Sequence, residues 1–380
     1  MGPSLVEVRA VRASLETTYA APVHHLTQAE ARQVAVRAQL LDATRPTDLL
    51  EVVEHLTHLP VDQTAAVAPA ADLVAWSRLG AAYSPDDLVD ALAARELFEI
   101  DATVRVVEDL PLLRARMASW PPWERTREWL EANELFRAEV LDALEDSGPM
   151  LSREIHATAQ QPWRSSGWNT DRNVTMMLET LMMQGVVAID GRRGRQRLWN
   201  LASRVHPPGD TVPEAEASVV RDERRLRALG IARARGTEIP GESIHVGDAG
   251  EPAQVEGVKG EWRVDPSYLS GSPGGFAGRT ALLSPFDGLV RDRRRMEELV
   301  EFDYVLEMYK PADQRRWGYF ALPVLHADRL VGKLDATADR KAGRLFVDAV
   351  HEDGRWTRAM RSAVDDEVSA LAAWLGLTRA

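Results

Sequence analysis

Residues 131–206 carry the pattern that most constrains how this chain can fold: three helical stretches followed by a β-hairpin. "ELFRAEVLDALEDSGPM" places Phe136, Val140 and Leu144 four residues apart on one helical face, and Gly148 and Pro149 stop the run. "LSREIHATA" reads as a short helix that Ser152 can cap. After the loop "QPWRSSGWNT", the stretch "DRNVTMMLETLMMQG" sets Val174, Met177, Leu178 and Leu181 at i, i+3, i+4 and i+7. Gly185 closes that helix. "VVAI" and "RQRLWNL" then flank the turn "DGRRG", a hairpin signal.

Helix, helix, helix and hairpin is the order of a winged-helix module. Its recognition helix, here 171–184, enters the major groove, and its wing lies along the phosphates. The wing tip carries Arg192, Arg193, Arg195 and Arg197 in a chain with 46 Lys+Arg, 58 Asp+Glu and a formal net charge of −12. Residues 151–206 hold eight arginines and four acidic residues, a local balance of +4. A basic DNA-facing patch on an acidic body is the functional reading, because phosphate neutralisation releases counterions. A solvated hairpin tip is the alternative. On the recognition helix the outer face near the N-terminus offers Arg172, Asn173 and Thr175, and Trp168 stands in the loop that enters it.

The rest of the chain divides around this module. Residues 1–125 read as helical and winged-helix-like. Thr27 and Glu30 have capping-box spacing, a second helix follows Pro46, and Ser84 with Pro85 opens a third. "WPPWE" marks a boundary, and 126–210 is the winged-helix domain. Residues 211–280 are a connecting region that a charged helix, 214–230, opens as a degenerate second copy. Residues 281–380 read as an antiparallel sheet or barrel built from "FDYVLEMY", "RWGYFALPVLH", "RLVGKLDAT" and "GRLFVDAV". The closing helix, with Met360, Val364, Val368, Leu371 and Leu375 as its apolar stripe, lies on that sheet. The expected fold class is α+β: tandem winged-helix modules with a C-terminal antiparallel sheet and closing helix.

Composition excludes several function classes. The chain has no cysteine, so disulfides and thiolate metal sites are out, and a reducing compartment is expected. The nine histidines show no metal-ligand spacing. No phosphate-binding glycine loop and no nucleophile elbow occur. No run of about 18 apolar residues is present, and the first residues lack the apolar core of a signal peptide. The expectation is a cytoplasmic, monomeric protein that acts on duplex DNA with no cofactor and no membrane contact.

Four stretches carry a resemblance: "ADLVAWSRLG" (71–80), 165–207 through the arginine hairpin, "LLSPFDGLVRDRRRMEELVEFDY" (282–304) and "RRWGYFALPVLHADRLVGKLDAT" (315–337). On these the chain resembles the crosslink-repair DNA glycosylases of the YcaQ/AlkZ type, built from tandem winged helices. The resemblance implies a metal-free, monofunctional enzyme that binds duplex DNA and removes N-alkylated purines, crosslinked ones included, leaving an abasic site.

The family's catalytic signature, Gln-x-Gln or Gln-x-Asp, falls on "THLPVDQTAAVAP". Asp62 matches its second position, Pro60 stands at the first, and Gln63 is one residue out of register. A proline offers no side-chain polar group and no N–H. Asp62 alone has suitable chemistry: a carboxylate near C1′ stabilises an oxocarbenium-like sugar and deprotonates the attacking water. The competing reading of Asp62 is a cap for the helix that follows.

In "SPFDGLVRDRRR", Asp287 stands near Arg291, Arg293 and Arg294, which either grip the DNA backbone or form a charged surface turn. Trp76 reads as core rather than as a wedge. Two functions from different classes result: a DNA glycosylase that uses Asp62, or a non-enzymatic winged-helix DNA-binding protein, a regulator or damage binder, that lost catalysis with the glutamine.

Overall fold

The computed structural model describes residues 22–62, 64–164, 172–236, 241–269 and 275–380. The described chain opens with β1 (His24–Leu26) and α1 (Gln28–Ala38). Thr27 and Glu30 make the expected capping box: Thr27 N–H donates to Glu30 Oε2 at 2.8 Å, and Glu30 N–H donates to Thr27 Oγ1 at 3.2 Å.

Module one follows. It contains α2 (Leu49–Leu56), β2 (Leu59–Pro60), α3 (Ala70–Leu79), α4 (Pro85–Ala93) and the hairpin β3 (Leu97–Ile100) and β4 (Thr103–Val106). The strands pair in the order β2-β4-β3, with Pro60 opposite Thr103 on the edge strand, where a missing N–H is tolerated. This wing corrects the helical reading of 1–125. Its turn is Asp101–Ala102, with φ of 46° and 54°. Two positive φ values make a two-residue turn whose twist suits a hairpin, here without the usual glycine. α5 (Leu110–Ala118) leads onward.

Module two runs α6 (Glu124–Glu131), α7 (Glu134–Ser147), β5 (Met150–Leu151), α8 (Asn173–Met183) and the hairpin β6 (Val187–Arg193) and β7 (Gln196–Leu201). Phe136, Val140 and Leu144 pack with Met177, Leu178 and Leu181 in one buried cluster. After β5, the helix expected at 151–159 is only a 3-10 turn, Ser152–Glu154. Glu154 accepts a bond from Leu151 N–H at 2.9 Å, and the chain then runs extended.

The third module contains α9 (Glu214–Leu229), β8 (Ile231–Ala232), β9 (Glu251–Val255) and β10 (Trp262–Val264). Its sheet runs β1-β9-β10-β8, so the chain's opening strand pairs in parallel with β9. α1 buries Ala31, Val34 and Ala35 in the same cluster as Ile231, Ala253, Trp262 and Val264. Residues 24–38 therefore pack with the third module rather than with the first. Pairing across more than two hundred residues leaves no local periodicity to read.

The C-terminal sheet has β11 (Thr280–Leu282), β12 (Leu322–His326), β13 (Arg329–Asp339) and β14 (Arg344–Glu352), then α10 (Arg358–Trp374) and β15 (Thr378–Arg379). Its order is β11 through β15, antiparallel except for the last pair. "FDYVLEMY" is not one of its strands. Phe302 and Tyr304 are buried while Asp303 and Val305 are exposed, so the alternation is real, but the segment joins no ladder and β11 takes the edge instead. α10 buries Val364, Val368 and Leu371 in the cluster that also holds Leu73, Trp76, Leu322 and Leu334. Among the described residues no helix is long and apolar enough to cross a membrane.

Candidate active site

The site is assembled by one buried contact. Arg78, at the end of α3, donates through both guanidinium nitrogens to the Asp287 carboxylate, at 3.0 Å for Nη2 to Oδ1. Both side chains are fully buried. Asp287 also accepts from Leu289 N–H at 3.0 Å, capping the turn of helix at 288–291. The pair joins "SRLG" to "SPFDG" and sets that turn against β2. The cavity between them is lined by His58, Pro60, Phe286, Gly288, Arg291 and Asp292, among others.

One side of this cavity is a dense charge network. The buried Glu242 carboxylate accepts from Arg105, and from Arg225 Nε at 2.7 Å, while Arg291 donates to its carbonyl at 2.5 Å. Burial alone would raise the Glu242 pKa, but Arg105 and Arg225 outweigh it and hold the acid ionised well below the usual carboxylate range. His58 responds in the opposite sense. Burial first, and then Arg105, lower it from 6.5 to about 3. It is a neutral imidazole at physiological pH, with Nδ1 3.2 Å from Thr57 Oγ1.

Asp62 follows Pro60 by two residues. Val61 N–H donates to Ala102 O at 2.7 Å, which continues the pairing of β2 with the wing of module one. Backbone alternation then places positions 60 and 62 on one side. Asp62 is half-buried and accepts from Thr64 N–H at 2.8 Å, an Asx-type turn. Its carboxylate does not cap the next helix, which begins at Ala70 behind Pro69, although its backbone carbonyl lies 3.5 Å from Ala70 N–H. Gln63 lies outside the described residues.

The wing arginines divide into two pairs. Arg192 and Arg197 turn back onto Glu99 of β3, which is 4 % exposed; Arg197 Nε lies 2.8 Å from it. Arg193 and Arg195 are exposed at the tip, with Arg193 2.6 Å from Glu154. Arg172, just ahead of α8, is exposed, Thr175 is half-buried, and Asn173 accepts from Trp163 N–H at 2.6 Å. Met177, Leu178 and Leu181 are buried and Val174 is half-buried. Trp168 lies outside the described residues.

The "DRRR" arginines also separate. Arg291 faces the cavity. Arg293 turns inward: it donates to Val290 O at 2.8 Å and lies 4.6 Å over the Tyr304 ring. Its guanidinium is committed within the protein, contrary to the expectation that it grips DNA. Arg294 is exposed and pairs with Glu298 at 3.0 Å. Trp76 is core, 2 % exposed and stacked on Trp374 at 5.4 Å. Among the described residues no cluster of three or more His, Asp or Glu is placed to hold a metal.

Sequence reasoning missed His58, Glu99, Arg105, Arg225 and Glu242. His58 alone left a usable sign, since it precedes Pro60 by two residues and alternation puts both on one face. The others meet across module boundaries.

The model of the family described as "DNA glycosylase AlkZ-like" matches residues 53–374. The chain belongs to the AlkZ-like DNA glycosylase family. That match begins within α2 and ends at the last residue of α10, so it takes in every element of the site just described. The fold is also similar to that of the Streptomyces sahachiroi DNA glycosylase AlkZ, with a TM-score of 0.61 and 17 % identity over 93 % of this chain and 98 % of that one.

Proposed function

We propose that this AlkZ-like protein is a monofunctional DNA glycosylase that hydrolyses the N-glycosidic bond of N-alkylated purines, bulky or crosslinked ones included, in duplex DNA. Asp62 is its catalytic carboxylate. The observation that carries this is Asp62 itself, half-buried and fixed by the Thr64 N–H, two residues along the chain from Pro60, which lines the cavity. N-alkylation puts positive charge on the purine and weakens the bond. As the base departs, Asp62 stabilises the sugar cation and takes a proton from water. Arg291 at the cavity wall, Arg172 just ahead of α8, and Arg193 and Arg195 on the wing supply phosphate contacts.

Incubating the protein with duplex DNA carrying N7-alkylguanine, followed by alkaline cleavage of the abasic strand, tests this reading. Breaks above the spontaneous level at the modified guanine support it. Pro60, in place of the signature glutamine, favours a second reading: a DNA-binding protein without catalysis. Tight binding of the modified duplex with no strand breaks would select that reading.

A further inference from the structure

The stretch "RRWGYF", 315–320, carries part of the resemblance, and the reading above gives it no role. In the fold it closes a loop, 303–319, that leads into Phe320. Phe320 packs against Phe286 with ring centroids 6.2 Å apart, and Phe286 lines the cavity beside Pro60. Arg293, two residues from Arg291, holds the other end through the Tyr304 ring.

The loop is pinned from within. The buried Glu307 carboxylate accepts from Arg316 N–H at 2.7 Å and Trp317 N–H at 2.8 Å, and pairs with Lys310 Nζ at 2.7 Å. Beneath it, Lys333 Nζ sits 4.5 Å from the Trp317 ring and 4.2 Å from the Phe302 ring. A loop held at this many points presents its outer side chains in set positions. Tyr309 is 79 % exposed and Tyr319 41 % exposed. The Arg315 guanidinium lies 5.0 Å over the Tyr319 ring. Exposed Arg316 lies 4.8 Å over Trp317 and pairs loosely with exposed Asp303 at 3.5 Å.

Exposed rings on a stiff loop, interleaved with cations, offer a π-face and a charge at fixed spacing. A nucleobase and its phosphate present the complement. We propose that Tyr309, with Tyr319 and Arg315 on the same loop, is a stacking platform for an unstacked base of duplex DNA. This rests on the glycosylase reading: an enzyme that acts on a base must distort the stack around it, and an aromatic face lowers the cost of doing so.

The test compares two duplexes of one sequence, fully paired or carrying a tetrahydrofuran abasic analogue that opens a gap in the stack. Both are titrated against wild type, Tyr309→Ala and Tyr309→Phe over a series of salt concentrations. Tyr309→Ala should bind the gapped duplex roughly 5- to 150-fold more weakly, the worth of one base–aromatic stack. Its affinity for paired duplex and its salt slope should stay near wild type, and Tyr309→Phe should match wild type throughout. Equal affinity of Tyr309→Ala for the gapped duplex would overturn the platform and leave the rings to a protein partner. A loss with Tyr309→Phe as large as with Ala would overturn it too, since the hydroxyl and not the ring would then matter. Release of 7-methylguanine separates the two levels. An inactive wild type that binds neither duplex sinks the glycosylase reading and the platform together, whereas an active wild type with an indistinguishable Tyr309→Ala sinks the platform alone.

Discussion

Arg78 and Asp287 meet as a fully buried, two-pronged ion pair across 209 residues of sequence. The contact joins α3 of module one to the turn that carries Arg291, a lining residue of the cavity beside Pro60. Gln39 adds to it: Arg78 Nε donates to its carbonyl at 3.0 Å, and its own amide donates to Ala228 O at 2.6 Å. Four parts of the chain are tied at one point.

Removing one partner leaves a charge stranded in the core. Arg78→Ala or Asp287→Ala should each cost about 3–5 kcal/mol of unfolding free energy, read as a lowered urea midpoint. The double variant should cost clearly less than the sum, because the second substitution removes the stranded charge. Additive losses would mean that the pair does not act as a unit.

The four wing arginines should not behave alike. Arg193→Ala with Arg195→Ala, at the exposed tip, should lower the salt slope of duplex binding by about one log–log unit per true phosphate contact and leave stability unchanged. Arg192→Ala with Arg197→Ala strands the buried Glu99 and should lower the melting temperature. If the tip pair leaves the salt slope untouched, the wing does not meet DNA.

The legible parts of this fold were those written in local periodicity. The stripe of Phe136, Val140 and Leu144, the Met177–Leu181 face of α8 and the Thr27–Glu30 box all appear as read. The wing of module one was hidden because Asp101 and Ala102 adopt positive φ without a glycine to announce it. The arginine cluster was visible, but not its division, because Glu99 reaches it from a strand about ninety residues earlier. Phe302 and Tyr304 show that alternating burial does not require a ladder: their rings stack with each other, and the Tyr304 hydroxyl bonds to Ala321 O at 2.7 Å.

Two histidines make the stability depend on pH. Burial lowers His58 from 6.5 to about 3 and His206 from 6.5 to about 4. Below pH 6.5 the unfolded chain takes up protons that the folded one refuses, so unfolding free energy falls as pH drops from 6.5 towards 4. The contribution is fully present above 6.5. His58→Gln and His206→Gln should each flatten that slope, as followed by denaturant titration at pH 4.5, 5.5 and 7. Slopes unchanged from wild type would show that these imidazoles stay open to protons in the folded state.

The proposed role of Asp62 is open to direct measurement. The measurement is single-turnover release of 7-methylguanine from duplex DNA by wild type, Asp62→Asn and Pro60→Gln, with duplex affinity measured in parallel. Wild type should release base above the spontaneous rate. Asp62→Asn should keep affinity and slow release by roughly 10²–10³-fold, the usual worth of one electrostatic or general-base group. Pro60→Gln, which restores the signature on an edge strand, should release base at least as fast as wild type. An Asp62→Asn protein as fast as wild type would contradict the account.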